Sequence, residues 1–380
     1  MSSEDNLTGD DAAYRRLQEH LDKQPIGYPA TETGVEIRIL QYLFTPEEAK
    51  LATALTFIPE SPQKIFRRAK KLGFEEGEMN QLLDGMVAKG IIHGGRNPDT
   101  GEGAFGTAPF AVGFYEYQAG KLTKEFADMA EEYFDSGLFQ TEWVESLPQI
   151  RTIPAEQSIS VNQSVEWRNE VAAYDDIAQL VENARPPYSV ANCICRQETE
   201  FLGKTCPHSR EVCFQFGSGA KWWLSLGISR EITKDEVLAK LRQAQEEGLV
   251  LQPYNSQRPL GLCCCCGDAC GILKRLKKMP RPADLVDSNY YAEVDSSKCS
   301  GCGTCATRCQ MDAPVVDDVS KINLDRCIGC GVCVPTCPEE AIHLVKKDTE
   351  WVPPVKMQDL YMEIMKQKAR TAMQLKEDNA

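Results

Sequence analysis

Eight cysteines near the C-terminal end of the chain constrain this sequence more than any other feature. They form two runs with the same spacing, C-x2-C-x2-C-x3-C, and Pro338 follows the second run. Iron in a cubane cluster prefers soft thiolates, and three of them so spaced can bind one cluster only if glycines such as Gly301 and Gly329 allow tight turns. The fourth cysteine of each run points away from its own loop and is predicted to bind the other run's cluster. The predicted 4Fe-4S ligands are Cys299, Cys302, Cys305 and Cys337 for one cluster, and Cys327, Cys330, Cys333 and Cys309 for the other.

This pattern resembles that of the bacterial two-cluster ferredoxins, and the resemblance covers residues 295–345. It implies a small ferredoxin-like domain whose two clusters are neighbours. One departure is Gln310, which stands where such motifs usually have a proline after the fourth cysteine; it is expected to loosen the local turn without removing a ligand. A zinc ribbon and a disulfide framework fit these cysteines less well. Zinc sites commonly pair C-x2-C hooks, and disulfides are disfavoured in a reducing compartment.

The composition of the whole chain is that of a soluble globular protein. Its 380 residues allow two or three domains, and 42% of them are hydrophobic. The formal charge of −14 opposes binding to nucleic acids and anionic membranes, and no stretch approaches the ~18 apolar residues of a membrane span. The acidic start lacks the apolar segment of a signal peptide, so a cytoplasmic location is expected. In that reducing compartment the seventeen cysteines are predicted to be metal ligands, which suits an anaerobic cell.

Residues 1–149 are predicted to form a winged-helix-like domain. A capping box at residues 45–48 starts one helix, another helix is predicted over residues 75–89, and a glycine-rich hairpin follows over residues 93–106. Such domains can bind DNA through the helix before the hairpin, but here that helix begins with three glutamates, which would repel phosphate. We therefore expect a docking or dimerisation role. Nucleic acid is not expected as a partner, and a homo-oligomer is left open.

Residues 150–286 are predicted to form a cysteine-rich α+β domain. An edge strand is expected over residues 150–165, and a strand over residues 188–196 places the first two cysteines on one face. Cys206 and Cys213 are expected in a polar loop. The nine predicted metal ligands of this domain are Cys193, Cys195, Cys206, Cys213, Cys263, Cys264, Cys265, Cys266 and Cys270.

Metal is the most economical explanation for five thiols within residues 263–270. The nine cysteines could hold one 4Fe-4S cluster, or two with one thiol left over. A mononuclear zinc that uses some of these thiols and His208 is a second interpretation, and a redox dithiol of adjacent cysteines is a third. Together with the ferredoxin unit, the stretches at 192–196, 203–213 and 263–270 resemble those of multi-cluster ferredoxin-like proteins of anaerobes.

The last part of the chain is divided into a ferredoxin domain over residues 287–349 and a helical tail over residues 350–380. The apolar side chains of the tail fall largely on one stripe, which either packs on the chain's own domains or docks on a partner. The predicted fold class is therefore α+β, with a winged-helix-like N-terminal domain, a cysteine-rich α+β middle domain and a ferredoxin-like C-terminal domain with a helical tail. The residues of the stripe are Met357, Leu360, Tyr361, Ile364, Met365 and Met373.

The function predicted from these features is electron transfer. The sequence contains no catalytic triad, phosphate loop or dinucleotide fingerprint, so no catalytic residue is predicted. The protein is interpreted as an iron-sulfur subunit of a larger cytoplasmic oxidoreductase, or as its dedicated electron donor or acceptor, with a flavin- or metal-containing partner. Two alternatives are a redox-sensing regulator that uses the winged helix, and a reductase whose active site is an upstream cluster.

Overall fold

The computed structural model divides the chain into two compact units. The first combines Met1–Ser146 with Tyr361–Ala380, and the second is Leu147–Leu360. Each unit contains helices and strands, so the predicted α+β class is confirmed. Among the residues described, none of the helices has the length and apolar character needed to cross a bilayer. The structure describes residues 10–97, 100–136, 146–161 and 171–378.

The first unit is built from helices and one β-hairpin. Its elements are α1 (Asp10–Asp22), α2 (Val35–Leu43), α3 (Pro46–Ala52), α4 (Pro62–Ala69), α5 (Glu76–Lys89), β1 (Ile92–Arg96), β2 (Gly103–Thr107) and α6 (Lys124–Tyr133). Helix α3 has the predicted capping box, in which the Thr45 hydroxyl accepts from Glu48 N–H (3.2 Å) and the Glu48 carboxylate accepts from Thr45 N–H (2.8 Å). Strands β1 and β2 pair antiparallel, which confirms the predicted hairpin.

A five-stranded antiparallel sheet organises the second unit. The elements of this part of the chain are α7 (Glu156–Val161), α8 (Ile177–Asn183), β3 (Tyr188–Asn192), α9 (Ile194–Phe201), β4 (Glu211–Phe216), α10 (Ser218–Ser225), β5 (Arg230–Ile232), α11 (Lys234–Glu246), β6 (Val250–Pro253), β7 (Gly261–Cys265) and α12 (Leu273–Leu276). The strands lie in the order β5-β3-β4-β7-β6, and helices α8 and α11 cover one face of the sheet with an apolar core.

The prediction of an edge strand over residues 150–165 is wrong. Single β-bridges form at Ile150 and Ile153, after which the chain enters helix α7. Pro154 explains the change, because it has no N–H to continue a ladder. Residues 162–165 lie outside the described residues.

The local structure around four cysteines also differs from the prediction. Strand β3 ends at Asn192, and Cys193 instead precedes helix α9, so Cys195 lies in its first turn. The pairing register of β3 against β4 shifts at this end of the strand, which releases the chain into the helix. Cys213 is not in a polar loop: it lies in β4, which is buried along most of its length. Cys206 lies outside the strands and helices, as expected, but it is buried.

The C-terminal part of the second unit repeats in structure as it does in sequence. Strand β8 (Tyr290–Val294) pairs antiparallel with β11 (Ile342–Lys346), and β9 (Pro314–Val316) pairs with β10 (Ser320–Ile322). Helix α13 (Thr304–Arg308) begins after Cys302 and contains Cys305. The small apolar core between these elements includes buried cysteines, so the loops that carry the two runs lie directly against it.

The predicted helical tail is confirmed as α14 (Met357–Asp378). Leu360 and Ile364 are fully buried, and the ring of Tyr361 meets that of Phe57 edge to face at 4.7 Å. Met362 is 52% exposed. Part of the apolar stripe therefore contributes to the chain's own core, while another side of the helix faces solvent.

Candidate metal centres

The loops of the two cysteine runs turn at glycines, as their spacing requires. Gly301 and Gly329 have φ values of 67° and 69°, in the left-handed region that glycine adopts without strain. Both also approach other backbone closely. An added Cβ would lie 2.5 Å from the Asp318 oxygen at Gly301, and 2.1 Å from the Tyr290 oxygen at Gly329. Only glycine fits at these two positions, and each loop can therefore fold tightly beside its cysteines.

Two cavities lie beside these loops, and four cysteines line each of them. They enclose about 310 and 380 Å³, including the space at their mouths. In each cavity three cysteines come from one run and the fourth comes from the other run, which is the crossed grouping expected from the spacing. The first cavity is lined by Cys299, Cys302, Cys305 and Cys337, and the second by Cys309, Cys327, Cys330 and Cys333.

The crossing follows from the geometry of two short segments. At the end of α13 the N–H of Cys309 donates to the carbonyl of Cys305 (3.1 Å), so these two cysteines are one helical turn apart. Cys305 lines the first cavity and Cys309 the second. In the other run Cys333 and Cys337 divide in the opposite sense. The two cavities are neighbours because they share both segments.

Backbone N–H groups point at several of the cysteine sulfurs. Hydrogen bonds from N–H to sulfur favour the thiolate over the thiol, and they tune the potential of a thiolate-bound cluster. Four of the eight cysteines, two in each cavity, accept such hydrogen bonds, and this fits the thiolate donors of an iron-sulfur cluster. The bonds are Ser320 N–H to Cys299 (3.3 Å), Ala341 N–H to Cys337 (3.3 Å), Ala292 N–H to Cys327 (3.3 Å), and Met311 and Ala313 N–H to Cys309 (3.4 Å each).

The two cavities differ in their exposure to solvent. Burial raises the pKa of the Cys333 and Cys309 thiols in the second cavity. In the first cavity Cys302 is exposed, and a hydrogen bond with the Thr304 hydroxyl (3.4 Å) lowers its pKa. The first cavity thus has a cysteine at the protein surface, whereas the second is more shielded. Metal binding must displace the protons of these thiols.

The comparison with known families agrees with this geometry. The 4Fe-4S binding domain family matches residues 292–315 and residues 320–343. The chain carries two copies of the 4Fe-4S binding domain. Each copy contains one complete cysteine run and thus contributes to both cavities. No curated protein and no solved structure matches the chain.

Six of the nine upstream cysteines meet beside strand β7, and we call them the thiol series. The sulfurs of Cys213 in β4 and Cys263 in β7 lie 3.7 Å apart. Each member of the series influences the pKa of the next, and the residues come from the start of α9, from β4, from β7 and from the loop after β7. In order of contact the series is Cys213, Cys263, Cys265, Cys270, Cys195 and Cys193.

The other three upstream cysteines belong to the apolar core on the opposite side of β7. Cys264 is 1% exposed, and the sulfurs of Cys206 and Cys266 lie 3.7 Å apart. All three side chains pack in the core cluster of the sheet. The nine predicted ligands therefore fall into two groups, although Cys193 of the thiol series also packs against this core.

The contacts of His208 bear on the zinc interpretation. Its Nδ1 lies 3.8 Å from the Glu247 carboxylate. In the described part of the chain, which includes all nine upstream cysteines, no three His, Cys, Asp or Glu side chains are arranged to hold a single metal ion. All seventeen cysteines are free thiols, so none forms a disulfide in this structure.

Two residues near these cysteines were not singled out as functional from the sequence. Arg196 is 1% exposed, and its guanidinium donates to the carbonyls of Ser209 and Cys264. The available signal was its place directly after Cys195.

The second overlooked residue is Gln310. Its side-chain oxygen accepts from Gly267 N–H (2.7 Å), and its amide nitrogen donates to the Gly248 carbonyl (3.0 Å). A proline at this position could make neither bond, so Gln310 does more than alter the turn after Cys309. It joins the loop between Cys266 and Cys270 to the second cavity.

Proposed function

We propose that the protein transfers electrons through two 4Fe-4S clusters, as a subunit of a larger cytoplasmic oxidoreductase or as its dedicated electron donor or acceptor. The observation that carries the proposal is the pair of adjacent cavities, each lined by four cysteines and each overlapping both copies of the 4Fe-4S binding domain. Cys299, Cys302, Cys305 and Cys337 would hold one cluster, and Cys327, Cys330, Cys333 and Cys309 the other. When bound, such a cluster accepts and releases single electrons.

The chain's own groups support this role in two ways. N–H donors to the cysteine sulfurs stabilise negative charge in the cavities, and buried side chains around the second cavity exclude water. Exposed Cys302 places the first cavity at the surface, where a flavin- or metal-containing partner could approach. The partner is proposed from this exposure; an oxidoreductase that co-purifies with the protein and accepts its electrons would support it.

The function is tested by reductive titration of the anaerobically purified protein with EPR detection. We expect reversible uptake of about two electrons per chain and two interacting paramagnetic centres, since neighbouring clusters share segments of the fold. Absence of any reversible reduction in protein that contains iron would overturn the electron-transfer function.

The first unit is proposed to form a winged-helix-like docking module. Helices α4 and α5 followed by the β1–β2 hairpin support this proposal. The first turn of α5 carries Glu76 and Glu78, so its charge opposes DNA binding. Salt-sensitive binding to duplex DNA, measured by electrophoretic mobility shift, would instead favour the redox-regulator alternative.

The nine upstream cysteines are proposed to hold further metal, either as one or two iron-sulfur clusters or as zinc. Their clustering beside β7 supports the proposal. Metal analysis of variants that retain both ferredoxin clusters distinguishes the possibilities.

A further inference from the structure

Cys206 and Cys266 form a thiol pair within the apolar core. Their sulfurs lie 3.7 Å apart, although the two residues are 60 positions apart in the chain. An S–S bond is about 2.0 Å long, so the sulfurs need to approach each other by about 1.7 Å to form one. Cys206 lies in the irregular segment between α9 and β4, and Cys266 directly follows β7, so neither residue is held in a helix or a strand ladder. The pair can therefore exist as a dithiol or as a disulfide.

A buried cation faces this pair. Arg196 is 1% exposed, and its Nε has no hydrogen-bond partner among the described residues. Burial lowers the pKa of the Arg196 guanidinium, but the negative charge of nearby thiolates raises it above its usual range; these are, in order, Cys193, Cys266 and Cys206. A cation favours the thiolate beside it, and the thiolate is the form of cysteine that reacts in disulfide chemistry. Arg196 thus places positive charge beside both sulfurs of the pair.

The pair is linked to the second ferredoxin cavity by a short hydrogen-bonded connection. Gly267 directly follows Cys266, and its N–H donates to the side-chain oxygen of Gln310 (2.7 Å), which directly follows Cys309. The two segments are held close, because an added Cβ on Gly267 would lie 2.4 Å from the Gln310 carbonyl oxygen. Cys309 lines the second cavity. With Cys206 and Cys266 only 7% and 1% exposed, this connection reaches the pair more directly than a dissolved thiol or disulfide does.

We propose that Cys206 and Cys266 form a redox-active pair that exchanges two electrons with the ferredoxin part of the chain. This inference deepens the proposed electron-transfer function and rests on it. On reduction, the S–S bond of the oxidised pair breaks, the two sulfurs take up two electrons and two protons from water, and two thiols result. Two clusters that each release one electron supply the two electrons. A carrier of single electrons could thus store them in pairs.

This role is compatible with further metal upstream. One additional 4Fe-4S cluster would use four of the nine upstream cysteines and would not require this pair.

The first test is a reductive titration of the full-length protein, purified anaerobically, oxidised mildly with thionin and freed of the dye. We expect Cys206→Ala to take up about two electrons fewer per chain than the unmodified protein, because its pair cannot form a disulfide. The matched control is Cys264→Ala, which removes a core thiol outside the pair and should keep the full uptake. An upstream cluster would add equally to all three proteins, so the difference between them is unaffected.

A second readout, peptide mapping by mass spectrometry, needs no variant. The thionin-oxidised protein is quenched in acid and alkylated, and it should contain a peptide linked through Cys206 and Cys266. The link should disappear after reduction with viologen radicals. In Cys309→Ala, which lacks one cysteine of the second cavity, the link should persist under the same treatment. Equal loss of the link in this variant would overturn the exchange with the ferredoxin part.

Three further outcomes would overturn the inference. They are an unchanged electron uptake in Cys206→Ala, a disulfide between Cys213 and Cys263 in place of the proposed one, and a loss of iron or zinc from Cys206→Ala, which would make Cys206 a metal ligand. In each of them, intact EPR signals of the two ferredoxin clusters would leave the proposed function standing. Absence of any reversible reduction in the unmodified, iron-containing protein would instead contradict the proposed function.

Discussion

Replacing Cys337 with alanine is expected to remove the cluster of the first cavity and to leave that of the second. Cys337 belongs to the second run, but it lines the cavity of Cys299, Cys302 and Cys305. The variant leaves three cysteines in the lining of the first cavity, one fewer than a 4Fe-4S cluster needs. We therefore expect iron to fall by about half, from about eight to about four atoms in the ferredoxin part. EPR of the reduced protein should show one isolated centre in place of two interacting ones.

The matched control for this experiment is Cys309→Ala. Cys309 belongs to the first run and lines the cavity of Cys327, Cys330 and Cys333, so this variant should lose the opposite centre. The two variants must then leave different EPR spectra. If Cys337→Ala removes the centre that depends on Cys327, the crossed assignment is wrong.

The second large effect is expected from Asp175→Ala. The Asp175 carboxylate accepts from the guanidinium of Arg151 (2.7 Å) and from the side-chain amide of Asn289 (2.8 Å), and both charged residues are 2% exposed. Removal of one partner of a buried ion pair leaves an uncompensated charge and costs about 3–5 kcal/mol. We expect a loss of this size in the free energy of unfolding of the second unit, measured by anaerobic urea titration with circular dichroism.

The control is the double variant Arg151→Met with Asp175→Leu. It removes both charges and retains apolar volume, so its stability should lie within about 1–2 kcal/mol of the unmodified protein. Asn289 keeps a partner in this variant, because its amide also donates to the Trp351 carbonyl (3.0 Å). A loss below about 1 kcal/mol in Asp175→Ala would show that the pair contributes little.

Local signals in the sequence predicted local structure well. The capping box at Thr45 starts a helix as expected, and Thr233, whose hydroxyl accepts from Glu236 N–H at 3.2 Å, caps α11 in the same way. The glycines of the cysteine runs adopt the left-handed conformation that their turns require. These features depend on neighbours within a few residues, and the sequence contains that information directly.

The features that the sequence did not reveal depend on contacts between distant segments. The sequence predicts a loop at Cys213 because polar residues 208–211 precede it, yet strand pairing with Cys263, fifty residues away, buries it. Gln310 bonds to Gly267 and Gly248 through the tertiary fold. The division of the upstream cysteines follows from the alternation of β7, whose bounds had to be known first.

The most direct test of the central claim is the content of iron, acid-labile sulfide and zinc in the anaerobically purified full-length protein. The two cysteine-lined cavities predict at least about eight iron and eight sulfide per chain, and about twelve of each if the upstream cysteines hold one further cluster. Zinc should be well below one atom per chain. Protein that contains stoichiometric zinc and no labile sulfide, and stays colourless after reconstitution with iron and sulfide, would contradict the account.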